Sequence, residues 1–387
     1  MQDQHGNSER PVTLQDVAEY CGVTKATVSR ALNGNQEINK QTASRIRAAA
    51  EALGYNPARF HQARRLAARK TGRRVLNHQV ALILPAYFHT SRYFTELFHG
   101  ILNVLTAKGY GISIMIMPDA ETSPFPLAFH PSIVRSEVDG VIMVGFPDRE
   151  KDVLPALHRY MGGQPCPVVT MIIPNHGCSV VLPDDERGGY LAARHLIDLG
   201  HRHLVFVHNK IEYEGYFLRR DSLRRALREA GVEADPGKTD FIWQGVPALP
   251  HHLDIDQNLR AIDEARGDGS LLGFLRANPQ VTGVIAQNDA TAVQIWFLLH
   301  SAGLRIPQDI SLIGYDGVEA IRNENGVNVL TTIRLPLQEV GQRSAELLLQ
   351  HIEGEMRDAA RIVLPVELVV RSTTAASASR ASTPQPV

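Results

Sequence analysis

From about residue 79 to residue 373 short apolar runs alternate with amphipathic segments, and no other feature narrows the possible folds as sharply. VALILP, ISIMIMP, GVIMVG, PVVTMII, HLVFVHN, VTGVIAQ and ISLIGYD have the length and apolar continuity of strands buried on both faces. Between them FTELFHGILNVLTAKG, GGYLAARHLIDLG, RRDSLRRALREAG and ATAVQIWFLLHSAG place apolar residues at helical spacing. Strict strand–helix alternation implies an α/β core of parallel sheets with helices on both faces. So long a stretch exceeds one comfortable core, and two such sheets with a cleft between them are expected.

The front of the chain reads differently. Residues 12–58 hold three short helical pieces, LQDVAEYC, TKATVSRAL and KQTASRIRAAAEALGY, which make a small all-α bundle. Gly22 follows the first helix, where a left-handed backbone is often needed, and Thr24 suits the N-cap of the second. Leu14, Val17, Ala18, Val23, Val28 and Leu32 supply the interior of this bundle. The second helix keeps a polar face of Lys25, Ala26, Thr27, Ser29 and Arg30, as a helix lying in a DNA major groove requires. Thr24, Thr27, Ser29 and Asn33 are of the type that holds phosphates. Charge supports this reading: residues 1–75 carry 13 Lys/Arg against 6 Asp/Glu, although the whole chain has a net charge of -1. A basic module on an acidic body fits phosphate binding by one end.

These motifs fall in an order that resembles the lactose/galactose repressor family of bacterial regulators. The likeness is carried by the run from Thr13 to Asn33, by Gly54, Tyr55 and Pro57, and by Ala63-Arg64-Arg65-Leu66. It continues through Asp184, Gly188, Gly189 and HLIDLGHR, then Asn288-Asp289, IPQDISLIGYD and LTTI. The resemblance implies a helix-turn-helix headpiece, a hinge helix and a two-lobed core similar to periplasmic sugar-binding proteins. On its own Leu66 in a basic helix reads as a packing residue; the resemblance implies instead that it wedges between base pairs in the minor groove. Two departures stand out. The segment between Pro57 and Leu66 is about two residues longer than the family's, and Pro124, Pro126 and Pro131 interrupt a stretch the family builds as a helix. The implied division is a polar tail at 1–11, the headpiece at 12–58, hinge and linker at 59–78, the two-lobed core at 79–373 and a second tail at 374–387.

Ligands of open α/β sheets bind at the carboxyl ends of the strands. That rule points to Tyr93 and Phe94 after the first strand, to Arg219 at the start of a helix and to Asp289 after VTGVIAQN. The aromatic pair can stack on a ring, the arginine can donate a fork of hydrogen bonds, and the carboxylate can accept from hydroxyls or N–H groups. Core packing would equally explain Tyr93 and Phe94, and helix capping would explain Asp289. The family's effector contacts fall at matching positions, and the resemblance implies a sugar or sugar acid; the aromatic pair would also suit a purine. No dinucleotide fingerprint, phosphate loop or nucleophile elbow is present, so neither an enzyme nor a cofactor is expected. Sixteen scattered histidines and three distant cysteines suggest no metal. The expected partners are double-stranded operator DNA, a small-molecule effector and a second copy of the chain, in the cytoplasm and without a membrane anchor. The rival class is a ligand-binding protein or sugar-modifying enzyme that shares only the α/β core, and the basic headpiece argues against it.

Overall fold

The computed structural model describes residues 12–32, 38–55, 76–85, 91–117, 138–144, 157, 166–174, 177–209, 214–232, 235–243, 263 and 267–377. The chain divides into two compact units, Met1–Asn77 and His78–Val387.

In the first unit α1 (Leu14–Cys21), α2 (Lys25–Leu32) and α3 (Lys40–Ala52) follow one another closely. Thr13 and Asp16 cap α1 reciprocally, each side chain accepting from the other's backbone N–H. Gly22 ends α1 at φ 62°, a left-handed conformation that costs glycine little. Its N–H closes on Ala18 and Glu19 carbonyls. The Thr24 hydroxyl accepts from the Thr27 N–H at 3.2 Å, which is the expected N-cap. Val17, Ala18, Val28, Ala31, Ala43, Ile46 and Ala50 form the core, with Leu14, Val23 and Leu32 half-buried around it.

The second unit contains two six-stranded sheets. The first, in the order β11-β5-β4-β3-β1-β2, comprises β1 (Gln79–Pro85), β2 (Gly111–Met117), β3 (Gly140–Val144), β4 (Val168–Met171), β5 (Ser179–Pro183) and β11 (Arg361–Leu364). All of its pairings are parallel. The second, in the order β12-β10-β9-β8-β6-β7, comprises β6 (Leu204–His208), β7 (Asp240–Ile242), β8 (Gly283–Ala286), β9 (Ser311–Asp316), β10 (Thr331–Arg334) and β12 (Glu367–Val369). It is parallel except for β12, which runs antiparallel to β10.

Helices α4 (Arg92–Ala107) and α10 (Leu337–Glu353) pack on the first sheet and on each other. The second sheet is flanked by α5 (Asp185–Asp198), α6 (Glu214–Glu229), α7 (Pro236–Thr239), α8 (Leu271–Ala277) and α9 (Asp289–Ser301). The chain therefore crosses between lobes after β5, after β10 and after β11. Each sheet has its own apolar core, around Ala81, Ile83, Val141 and Met143 in one lobe and Val205, Val284, Ile295 and Leu312 in the other.

Three details differ from the sequence reading. Arg219 does not begin a helix, because α6 starts five residues earlier at Glu214, an acidic side chain favoured in a first turn. The capping role weighed for Asp289 belongs to Asn288, whose side chain accepts from the Thr291 N–H at 2.8 Å. The start of the segment expected to be a tail from 374 is bonded to the core: the Ala375 carbonyl accepts from His201 at 3.0 Å, and the Ser377 N–H reaches the Leu199 carbonyl at 2.8 Å. Asn33, Leu66 with the rest of the hinge segment, and the prolines at 124, 126 and 131 lie outside the described residues.

Candidate functional sites: a DNA-reading helix and an interlobe cleft

The headpiece presents the N-terminal end of α2 to solvent. Thr24, Lys25, Ala26 and Arg30 are exposed, Thr27 and Ser29 half-buried. Arg30 follows Ala26 by four residues and so lies on the same face one turn on. The Thr24 and Thr27 hydroxyls lie 2.8 Å apart, which occupies them in the cap and leaves Lys25, Ala26 and Arg30 as the free surface of the turn. Arg45 of α3 donates to the Cys21 carbonyl at 3.2 Å and ties the third helix to the end of α1.

In the core, residues from both lobes meet where α5, α6 and β9 converge. The Arg219 side chain is buried, its Nε 2.8 Å from Oδ1 of Asp185 and its Nη1 2.5 Å from the Gln287 carbonyl. Its guanidinium lies over the Tyr315 ring, 3.5 Å from the centroid, and the Tyr315 hydroxyl donates to Asp185 at 3.1 Å. Two glycines of α5 permit this packing: a Cβ at Gly188 would come 2.0 Å from the Tyr315 hydroxyl, and one at Gly189 would come 2.5 Å from Arg219 backbone. Tyr93, in the first turn of α4, faces this group from the other lobe. Burial, and then the charge of Asp316, raise its phenol well above the ordinary range. Burial does the same to Tyr315.

The sequence-predicted cleft residues separate into groups. Tyr93 and Arg219 come together. Phe94 is buried, with its ring edge-on to Tyr93 at 5.2 Å between centroids. Asp289 is fully buried and its carboxylate is occupied by the protein's own donors: the Val318 N–H at 2.8 Å, the Glu319 N–H at 3.1 Å and the Thr332 hydroxyl at 2.5 Å.

The carboxylate next to Tyr93 and Arg219 is instead Asp316, which the sequence reading passed over. No hydrogen bond from a described residue reaches its side chain, and burial holds its carboxyl well above the usual range against the pull of Arg219. It lines a cavity of about 430 Å³ between the lobes, with Arg92 and Glu96 of α4, Arg334 at the end of β10 and the first turns of α10. That volume suits a small molecule. The signal was present: Asp316 ends a strand at its carboxyl edge, as the rule that selected Asp289 demands. A contact between lobes, Arg361 of β11 to Glu214 of α6 at 3.4 Å, borders a separate, smaller cavity that Asp184, Asp185 and Leu218 also line.

An exposed recognition-type helix in one unit and a two-lobed core with a polar interlobe cavity in the other define a DNA-binding protein that responds to a small molecule. Residues 13–58 match the model of bacterial regulatory proteins of the lacI family, and residues 193–374 that of the periplasmic binding protein-like domain. The chain belongs to the lacI family and is a transcriptional regulator. The regulator DegA of Bacillus subtilis is 28% identical over 366 residues, 94% of this chain and 98% of its own length. The repressor PurR of Photorhabdus laumondii is 25% identical over 365 residues, 93% of this chain and 96% of its own. A lacI-family regulator from Enterococcus faecium, solved with bound ribose, superposes with a TM-score of 0.59 at 25% identity, covering 78% of this chain and all of that one.

Proposed function

We propose that the chain is an effector-controlled repressor that binds a roughly palindromic operator as a homodimer and takes a small polar effector, a sugar or sugar derivative, into the cleft between its lobes. Residues 12–58 read the DNA, 59–78 form the hinge, and the following residues to 373 form the effector core. Lys25, Ala26 and Arg30 face base edges, Thr24, Thr27, Ser29 and Asn33 adjoin the phosphates, and Leu66 is the minor-groove wedge. Two-fold symmetry of the dimer would match that of the operator. The protein works in the cytoplasm and performs no catalysis.

In the cleft, Asp316 accepts from hydroxyl or N–H groups beside Arg92, Glu96 and Arg334 of the cavity lining, with Tyr93 and the Arg219–Asp185 pair next to it and reached by the effector as the lobes move. The open Asp316 carboxylate beside a buried arginine, at the edge of the cavity, carries this reading. It favours a ligand rich in donors. The ribose held by the Enterococcus faecium regulator is of that chemistry. A thermal-shift screen of sugars, sugar acids and nucleobases on the full chain is the test, because a ligand of the folded form must raise its melting temperature. Asp316→Asn should raise the unliganded melting temperature at neutral pH, because burial disfavours the ionised carboxyl, and should weaken a hit by roughly tenfold or more, the cost of losing a hydrogen bond to a ligand donor. A hit bound equally well by Asp316→Asn would remove Asp316 from the site. If no member of the three classes binds, the effector reading fails.

A further inference from the structure

Asp289 is a fully buried carboxylate beside the cleft and does not line the cavity at Asp316. Its two oxygens are enclosed by donors from two elements that are distant in sequence. One accepts from the Val318 and Glu319 N–H groups, with the Gly317 N–H also directed at the carboxylate; the other accepts from the Thr332 hydroxyl of β10. The loop is shaped to do this. Asp316 has φ 99° and Gly317 φ 77°, and this pair of positive-φ residues reverses the chain so that the Gly317, Val318 and Glu319 N–H groups fall on the Asp289 side. A non-glycine residue at such a φ persists only where its surroundings over-determine it.

Neighbouring positions leave room for the arrangement. A Cβ at Gly314 would come 2.3 Å from Asp289 Oδ1, and one at Gly317 would come 2.9 Å from the Arg334 Cα. The same loop continues into the chain crossing: the Asp316 carbonyl accepts from the Leu335 N–H at 3.1 Å, one residue before Pro336 and α10. A continuous set of bonds thus runs from Asp289 through the 317–319 amides and Asp316 to the segment that passes between lobes.

We propose that Asp289 is a positioning residue, whose carboxyl group holds the 316–319 loop so that Asp316 faces the cavity while its carbonyl stays bonded to the interlobe crossing. Its relevance to regulation rests on the cleft being the effector site; the clamp itself does not. Burial raises the Asp289 carboxyl to about 6, and the Thr332 hydroxyl and loop N–H groups pull it back down. The charged groups around it are Asp316 and Glu319 on the loop and Arg371 beyond β12. Opening the loop to water returns the carboxyl toward its ordinary value of 3.8. The open form therefore gains on the closed one as pH rises from about 4 to about 6, and the balance is level above that.

Hydrogen exchange on the unliganded full chain, compared between variants at equal pD, tests the clamp without any effector. Asp289→Asn keeps one acceptor and one donor in the same shape but cannot ionise. The ratio of wild-type to Asp289→Asn exchange at the 317–319 and Leu335 amides should rise between about pD 4 and 6, by roughly a hundredfold, and stay level above that. Asp289→Ala should release these amides at least about tenfold at pD 5 while β1 and β3 stay unchanged. Should the alanine variant fail to fold, Thr332→Val removes only one donor to the carboxyl group and should move the upper end of the wild-type effect to higher pD. A wild-type to Asn ratio that does not change with pD would overturn the proposal, as would equal acceleration of every amide in the second lobe. Because no effector is added, the exchange result and the ligand screen can fail separately.

Discussion

Arg219 and Asp289 are both buried and ionisable, yet they are satisfied in opposite ways and should fail in opposite ways. Arg219 neutralises Asp185, so Arg219→Ala leaves a buried carboxylate facing Tyr315 with no counter-charge. Truncating one partner of a buried pair costs ~3–5 kcal/mol, and the urea midpoint of Arg219→Ala should fall accordingly. Arg219→Met with Asp185→Asn should lose less, because neither charge is then stranded. Asp289 has no such counter-charge at hydrogen-bond distance, and the fold raises its carboxyl from 3.8 to about 6. The unfolded chain gives up this proton first. The stability it contributes is therefore complete below about pH 4 and lost as pH rises through 6, amounting to ~3 kcal/mol. Melting curves of wild type minus those of Asp289→Asn should show that slope between pH 4 and 7, and parallel curves would contradict the burial effect. Replacing Asp289 therefore reports on the loop and on stability, whereas Asp316→Asn is the cleaner probe of the cleft.

At the scale of elements, α2 is short and its first turn depends on the cap. Thr24→Ala removes the acceptor for the Thr27 N–H and should cost ~1 kcal/mol of headpiece stability, visible as a lower melting temperature of that unit. Arg30→Ala leaves the cap alone. It should weaken operator binding by ~1–3 kcal/mol and relax preference at one position per half-site, as loss of a bidentate base contact would; equal loss on random DNA would make Arg30 a phosphate contact. The headpiece was legible because its signals are local: Gly22, Thr24 and the apolar spacing each act within a few residues. The long buried strands were legible for the same reason, since β3, β6 and β9 are continuous apolar runs. The strands β5, β7, β10, β11 and β12 were not: β7 and β12 are three residues long, β5 is a five-residue run that was passed over, and the pairing of all five is decided by partners far away in the chain. The distinction between Asp289 and Asp316 was hidden for a related reason. Both follow strands at their carboxyl ends, and only the left-handed turn at Asp316 and Gly317, which folds the loop N–H groups onto Asp289, decides which carboxylate is enclosed and which stays open.

For the whole molecule the decisive quantity is where the charge sits. The chain is nearly neutral, but its basic excess lies in residues 1–75, and the remaining 27 Lys/Arg face 35 Asp/Glu. A uniformly neutral protein would ignore a duplex at long range. This one has an end that displaces counterions and a body that phosphates repel, so its affinity for any DNA must be carried by the headpiece and must fall steeply with salt. Lys25, Arg30, Arg45 and Arg47 belong to the described part of that end and would carry part of the effect. Retention of the full chain on random duplex should drop by about a thousandfold or more in affinity between 50 and 200 mM salt, if about six phosphates are neutralised. The fragment 78–387, one compact unit, should not be retained even at the lowest salt. Adding a cleft ligand should leave the nonspecific salt slope of the full chain unchanged while altering its affinity for a selected operator, because the ligand acts on the arrangement of the lobes and not on the count of phosphate contacts. Retention of the fragment, or a ligand-dependent slope on random DNA, would show that the core itself touches the duplex.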